Sequence, residues 1–220
     1  MESILPENHL LLASSKRVLA LIIEEIAVDH EDEKVSWRLL LQAEELHRSA
    51  ISLSIQSFGE LNVQTAKHYG NLGRLNQSMK RYGTAEEMHV KAIQIKEELL
   101  GNEDHEVALS VGHLASLYNY DVRDYTRAEH LYRRSIQIGV KLFGPGYSGL
   151  EYDYRGLIRI YQDNETGKTS WSTPTSYESG RIYRAYEIKR KEPSKYPFYL
   201  NLRQERVYPY PVYWMPYMKT

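Results

Sequence analysis

AEHLYRRSIQIGVKLFG, residues 128–144, has two earlier versions in the same chain: AEELHRSAISLSIQSFG at 43–59 and AEEMHVKAIQIKEELLG at 85–101. The offsets are 42 and 43 residues, with Glu44/Glu86/Glu129, Leu46/Met88/Leu131, Ile51/Ile93/Ile136 and Gly59/Gly101/Gly144 in register. Between the blocks a second set recurs: Tyr69/Val111/Tyr154, Leu72/Leu114/Leu157 and Leu75/Leu117/Ile160. Self-similarity at such a period is the signature of a solenoid, whose units bury their apolar faces against one another. Within a unit the spacing is helical. Leu131, Ser135, Ile138 and Leu142 step by three and four, as do Leu114, Leu117 and Tyr118 one helix earlier. Each unit therefore reads as a helix pair. The expected helices lie near 7–28, 34–58, 62–80, 83–100, 104–120, 124–143 and 147–162. A glycine closes each Ala-Glu helix, where a left-handed residue is expected.

Small residues recur where helices must approach closely: Gly73 and Ala115 after the leucines, and Ala43, Ala85 and Ala128 opening the next helix, with Tyr118 and Tyr161 one turn on. This is the tetratricopeptide pattern. The period of about 42 in place of 34 implies helices about two turns longer per pair. LGNEDHEVALSVGHLASLYNYDVRDYTRAEHLYRRSI resembles the long-helix variant found in kinesin light chain. NVQTAKHYGNLGRLNQSM, LFGPGYSGLEYDYRGLIRIY and SILPENHLLLASSKRV extend the resemblance to cytosolic tetratricopeptide adaptors related to that family, over residues 3 to about 163. The expected fold is all-α, a tetratricopeptide-repeat α-solenoid followed by a largely irregular tail. The expected division is a helical lead-in at 1–42, repeats at 43–163 with the last incomplete, and a tail at 164–220. The resemblance implies an adaptor that binds short peptide segments or carboxyl termini of partner proteins and associates with microtubules and kinesin-related cargo. It also implies a substrate receptor within cullin-RING ubiquitin ligases.

Counting from Leu72, Leu114 and Leu157, the groove-facing positions are Lys67, Gly70, Arg74 and Gln77; Leu109, Gly112, Ser116 and Asn119; and Tyr152, Arg155, Arg159 and Gln162. Asn71 matches the position where related repeats hold a peptide backbone; His113 and Gly156 stand there in the later units. Lys67, Asn71, Arg74, Asn119, Tyr152, Arg155 and Arg159 are thus the candidate peptide-binding residues. Arginine forks suit carboxylates. The alternative is a solvated face whose arginines pair with Glu151 and Asp153.

Composition narrows the remaining classes. Residues 1–163 hold 18 Lys+Arg against 24 Asp+Glu, whereas 164–220 hold 10 against 5, with nine of the 19 tyrosines and six of the eight prolines. The chain has no cysteine, which removes disulfides, thiolate metal sites and cysteine nucleophiles. The histidines lack ligand spacing, so no metal is expected. No phosphate loop or nucleophile elbow occurs, and the adjacent glutamates point about 100° apart on a helix, so no enzyme, cofactor or small-molecule substrate is expected. The longest apolar run, 18–23, is too short to cross a membrane. No signal-peptide layout opens the chain, so a cytoplasmic address is expected, with the nucleus, membrane surfaces and cytoskeleton as further places.

The repeat breaks after GLIRIYQDN, which leaves Leu157, Ile158 and Ile160 with no partner helix in the pattern. YQDNETGKTSWSTP, 161–174, resembles the second half of a WW domain, without its first half. The rival reading is a scaffold whose basic, aromatic tail binds nucleic acid or a proline-rich ligand, with nucleic acid the weaker expectation.

Overall fold

The structure, a computed structural model, describes residues 10–144 and 147–165. The tail from 166, and with it most of the WW-like stretch, lies outside the described residues. Seven α-helices follow one another here: α1 (Leu10–Asp29), α2 (Glu33–Phe58), α3 (Val63–Ser78), α4 (Tyr82–Leu100), α5 (His105–Ser116), α6 (Tyr125–Phe143) and α7 (Glu151–Glu165). A π turn, Leu117–Val122, extends α5, and a 3₁₀ turn, Ser148–Leu150, precedes α7. The helices pair as α1 with α2, α3 with α4 and α5 with α6, and α2 and α4 each pack on the helix that follows. One compact unit ends at Asp153 and a second begins at Tyr154, inside α7.

The ends are set by local chemistry. Asp32, Asn62, Asp104 and Asp124 cap α2, α3, α5 and α6 by accepting backbone N–H groups at 2.7–3.0 Å. Such caps contribute about 1 kcal/mol each. Gly59, Gly101 and Gly144 close α2, α4 and α6 with φ of 82°, 83° and 82°, as the glycine pattern requires. Their ψ of 163–172° is extended and not the left-handed helical value expected from the sequence. That region is essentially confined to glycine.

The Ala-Glu pairs now have a physical reason. Ala43, Ala85 and Ala128 are fully buried, which lets the paired backbones close up. Two of their glutamates tie neighbouring segments: Glu44 holds Arg81 at 2.9 Å and Glu86 accepts the Tyr118 hydroxyl at 2.5 Å, whereas Glu129 pairs within its own helix with Arg133 at 2.7 Å. Leu75 and Leu117, matched in register, are fully buried, each contributing roughly 1.5–3 kcal/mol.

Two expectations need correction. Ser135 and Ile138 are buried as the spacing requires, but Leu142 is exposed, and the buried stripe of α6, Ala128, Tyr132, Ser135, Ile136, Ile138 and Gly139, ends before it. Leu157, Ile158 and Ile160 are buried and not bare.

The offset of 43 between the second and third units has a visible cause. Among the described residues, Lys80 and Arg123 are the two non-glycine residues with positive φ, at 58° and 62°, and each stands five before the alanine of the next helix. Counted from Leu72 and Leu114, however, they stand eight and nine residues on. The extra residue therefore lies between Leu114 and Arg123, where the π turn absorbs it.

Candidate functional site

Lys67, Asn71 and Arg74 follow one another at steps of four and three, so they share one face of α3. Lys67 Nζ is 2.7 Å from Glu106 Oε1 of α5. Glu106 also takes buried Lys96 of α4 at 3.0 Å, and Lys96 donates to Ser110 at 2.9 Å. Burial works to raise the Glu106 pKa, but the bonds from Lys67 and Lys96 outweigh it and the carboxyl is held below its ordinary value. Asn71 is half-buried. Arg74 Nη2 is 3.8 Å from Glu24 Oε2 of α1, beyond hydrogen-bond reach, while Ser78 donates to Glu24 Oε1 at 3.2 Å. Burial raises the Glu24 pKa against the opposing pull of Arg74 and Ser78.

Asn119 is buried in the π turn. Tyr152 is half-buried in the first turn of α7, edge-on to Tyr132 and His113, each at 6.5 Å between ring centroids. Both Asn119 and Tyr152 border Tyr132. Arg155 and Arg159 are exposed on α7 in the second unit. The structure thus groups Lys67, Asn71 and Arg74 on one face and sets Asn119 and Tyr152 around a buried tyrosine. Gln77, expected to face a ligand, is buried: its Oε1 is 3.0 Å from His89 Nε2, and its Nε2 donates to Asp121 Oδ2 at 2.9 Å.

A set of buried histidines went unnoticed in the sequence. His47 and His89 are fully buried at one register position, and His68 is buried on α3. Burial first, then nearby Arg74 charge, push His47 and His89 down to about 3, with His68 and Arg17 adding to the effect on His47. His68 falls to about 4 through burial and Arg17. His113 falls to about 3 through burial, His89, Arg74 and Lys96. All four are therefore neutral at pH 7. The sequence signal was the alignment of His47, His89 and Tyr132 four residues after the repeated alanines.

Asp153 is the reverse case, a buried acid pushed toward its neutral form. Ser135 Oγ lies 2.9 Å from the Ala108 carbonyl and 2.6 Å from Asp153 Oδ2. A hydroxyl has one hydrogen; with it on the carbonyl, the shorter contact needs the proton of a neutral Asp153. Burial, opposed by Ser135, raises the Asp153 pKa to about 7. Among the described residues, no three His, Asp or Glu side chains converge as metal ligands, and no helix is long and apolar enough to cross a membrane.

Residues 38–98 and 107–146 match tetratricopeptide-repeat families, and with the paired helices they make this chain a tetratricopeptide-repeat α-solenoid, a protein-interaction scaffold. Solved structures of the same fold include BtubC (BKLC) from P. vanneervenii, with TM-score 0.63, 19% identity and coverage of 93% of this chain and 72% of that one. Another is a Podosopora anserina protein described as a kinesin light chain with nearly identical TPR-like repeats, with TM-score 0.59, 18% identity and coverage of 86% and 81%. At these identities the likeness speaks for the fold. Among curated proteins the chain is similar to amyloid protein-binding protein 2. The mouse protein is 70% identical over 158 residues, 72% of this chain and 27% of that protein. The rat protein is 70% identical over 164 residues, 74% and 28%. The chain thus spans little more than a quarter of the length of these relatives.

Proposed function

We propose that this chain is a non-enzymatic adaptor that holds a short peptide segment or carboxyl terminus of a partner protein through Lys67, Asn71, Arg74, Asn119, Tyr152, Arg155 and Arg159. The observation that carries the reading is the cationic face of α3, where Lys67 and Arg74 flank Asn71 and stay 39% and 22% exposed despite their carboxylate neighbours. A ligand carboxylate can pair with either head, and a peptide backbone can reach the amide between them. Binding of the full chain to a peptide library with free carboxyl ends tests this, beside an Arg74→Ala/Arg155→Ala/Arg159→Ala variant. Selection by wild type and its loss in the variant is the expected result; no selection by either sinks the reading.

Similarity to amyloid protein-binding protein 2 supports the finer assignment to cytoplasmic transport of cargo and membrane-protein tails along microtubules, and to substrate recruitment for a cullin-RING ligase. The relatives' name adds an amyloid protein to the candidate partners. Co-sedimentation with microtubules tests the transport half, and co-purification of a cullin with the full chain tests the ligase half.

A further inference from the structure

We propose that the outward face of α1 is an interface between two copies of this chain, paired antiparallel about a twofold axis beside Val18 and Leu19. This stands apart from the peptide-binding reading, since none of the seven candidate residues lies on α1.

The first support is a helix that is apolar on both sides. Ala13, Ala20, Ile23 and Ala27 are buried, and the last three join Leu40, Ala43, Ala66 and Tyr69 in one core. Leu11, Leu19, Ile22 and Ile26 stand 47–56% exposed on the other side. A helix that is apolar all round is normally covered on both sides, and where a solenoid meets water its repeats turn a polar face outward. Among the exposed positions from 11 to 26, only Glu25 is charged.

The second support is that the stripe fits a copy of itself. Positions 11, 15, 18 and 19, 22 and 26 share one side of the helix and have the same spacing read from either end, as an isologous contact requires. Antiparallel pairing sets Leu11 beside the partner's Ile26, Val18 beside the partner's Leu19, and the small Ser15 against the partner's larger Ile22. Such alternation lets the ridges of one helix enter the grooves of the other. The two Glu25 carboxylates then lie about 20 Å apart along the axis, each within about 3 Å of the level of the partner's exposed Ser14. A parallel pair would instead bring like charges side by side at Glu25, so charge selects the antiparallel arrangement. Each stripe offers roughly 400–500 Å², and two together come to about 1,000 Å², the lower bound of a specific interface. The dimer is therefore weak and dependent on concentration.

Sedimentation of the full chain from about 1 to about 200 μM tests this. The mass is expected to rise from 25.7 kDa toward twice that value and stop there. Ile22→Glu is expected to weaken the association at least tenfold. Leu142→Glu, at an exposed leucine elsewhere, is expected to leave it unchanged. Because the chain has no cysteine, introduced thiols report the register. With copper phenanthroline as oxidant, Ser15→Cys/Ile22→Cys is expected to give a covalent dimer, since facing Cα atoms fall within the roughly 4.4–6.8 Å that a disulfide spans. Ser15→Cys alone is expected not to, because the two copies of position 15 lie about 10 Å apart along the axis. A mass that stays at one copy or climbs past two, equal losses in the two glutamate variants, or linking of Ser15→Cys alone would overturn the pairing. Pelleting with phosphatidylcholine vesicles in place of self-association would assign the face to a membrane surface and overturn it too. The wild-type mass and the cross-link decide the matter whatever the stability of Ile22→Glu.

Discussion

His47, His89 and Tyr132 occupy one register position in three successive repeats and are all fully buried, yet they meet different surroundings. His89 faces Gln77 at 3.0 Å, His47 has no hydrogen-bond partner, and Tyr132 lies edge-on to Tyr152. The position therefore requires a ring that fills the space under the repeated alanine, and accepts a polar ring only in its neutral form. At this register position repeats one and two should be acid-sensitive in a way the third is not.

Acid gives the largest effect. The folded-state pKa values of His47, His68 and His89, about 3, 4 and 3, lie below the ordinary 6.5, so the unfolded chain binds protons that the folded chain refuses. Their contribution is complete above about pH 6.5 and is lost as pH falls toward 3–4, at ~1.4 kcal/mol per unit for each ring. At pH 5 each has lost about 2 kcal/mol. Asp153 has the opposite sign. Its pKa rises from 3.8 to about 7, so its contribution is complete below about 3.8 and lost as pH climbs to 7. Between pH 7 and 5, α2 and α4 should lose amide protection while the contact of α6 with the start of α7 tightens. Hydrogen exchange across that range checks this, and equal loss in α6 would contradict it. His47→Phe should remove about a quarter of the acid slope, which His68, His89 and His113 share.

Truncation sharpens the same comparison. Tyr132→Ala should cost ~4 kcal/mol in denaturant unfolding, because a fully buried aromatic is lost. His47→Ala should cost about half as much, since removing the ring also removes two buried nitrogens without partners. Equal costs would mean that His47 is as well accommodated as Tyr132.

A smaller effect lies opposite the ring. Gly73 sits where the third repeat has Ala115, and a Cβ there would come within 2.9–3.0 Å of three atoms of the buried His89 ring. Gly73→Ala should therefore cost ~2 kcal/mol. A neutral or stabilising result would show that His89 has room to shift.

Much of the fold was legible because the repeat overdetermines it. Period, apolar register, aspartate and asparagine caps and closing glycines all give the same helix pairs. Stripes that depend on a partner were less legible: Leu142 fits the spacing, but it faces solvent, as does Leu99 at the same register position of the second repeat. In the candidate site, the face shared by Lys67, Asn71 and Arg74 follows from helical periodicity alone. The ion pair from Lys67 to Glu106 does not, because it joins residues on different helices 39 positions apart. The burial of Gln77 and Asn119 was also hidden, since register tells which face a residue takes and not how closely the next helix covers it.

The smallest predicted effect concerns the π turn, whose one-residue excess was already present in the 42-and-43 offsets. With an ordinary α-helical turn, each residue beyond the insertion point would be rotated by about 100°. The observed turn brings Asp121 to Gln77 Nε2 at 2.9 Å, while the other end of the same amide faces His89. With Gln77 oriented so, its oxygen accepts, His89 carries its hydrogen on Nε2, and one amide links the second repeat's buried histidine to the third repeat's insertion. Burial raises the Asp121 pKa, and the Gln77 bond opposes it. Asp121→Ala should cost about 1 kcal/mol, and a Gln77→Met/Asp121→Ala double-mutant cycle should return a coupling of ~0.5–1.5 kcal/mol. A coupling near zero, with the His89 ring resonances unmoved in Asp121→Ala, would mean that the insertion is a spacer. A coupling in the expected range would show that the extra residue ties the third repeat to the one ring position where the first two differ from it.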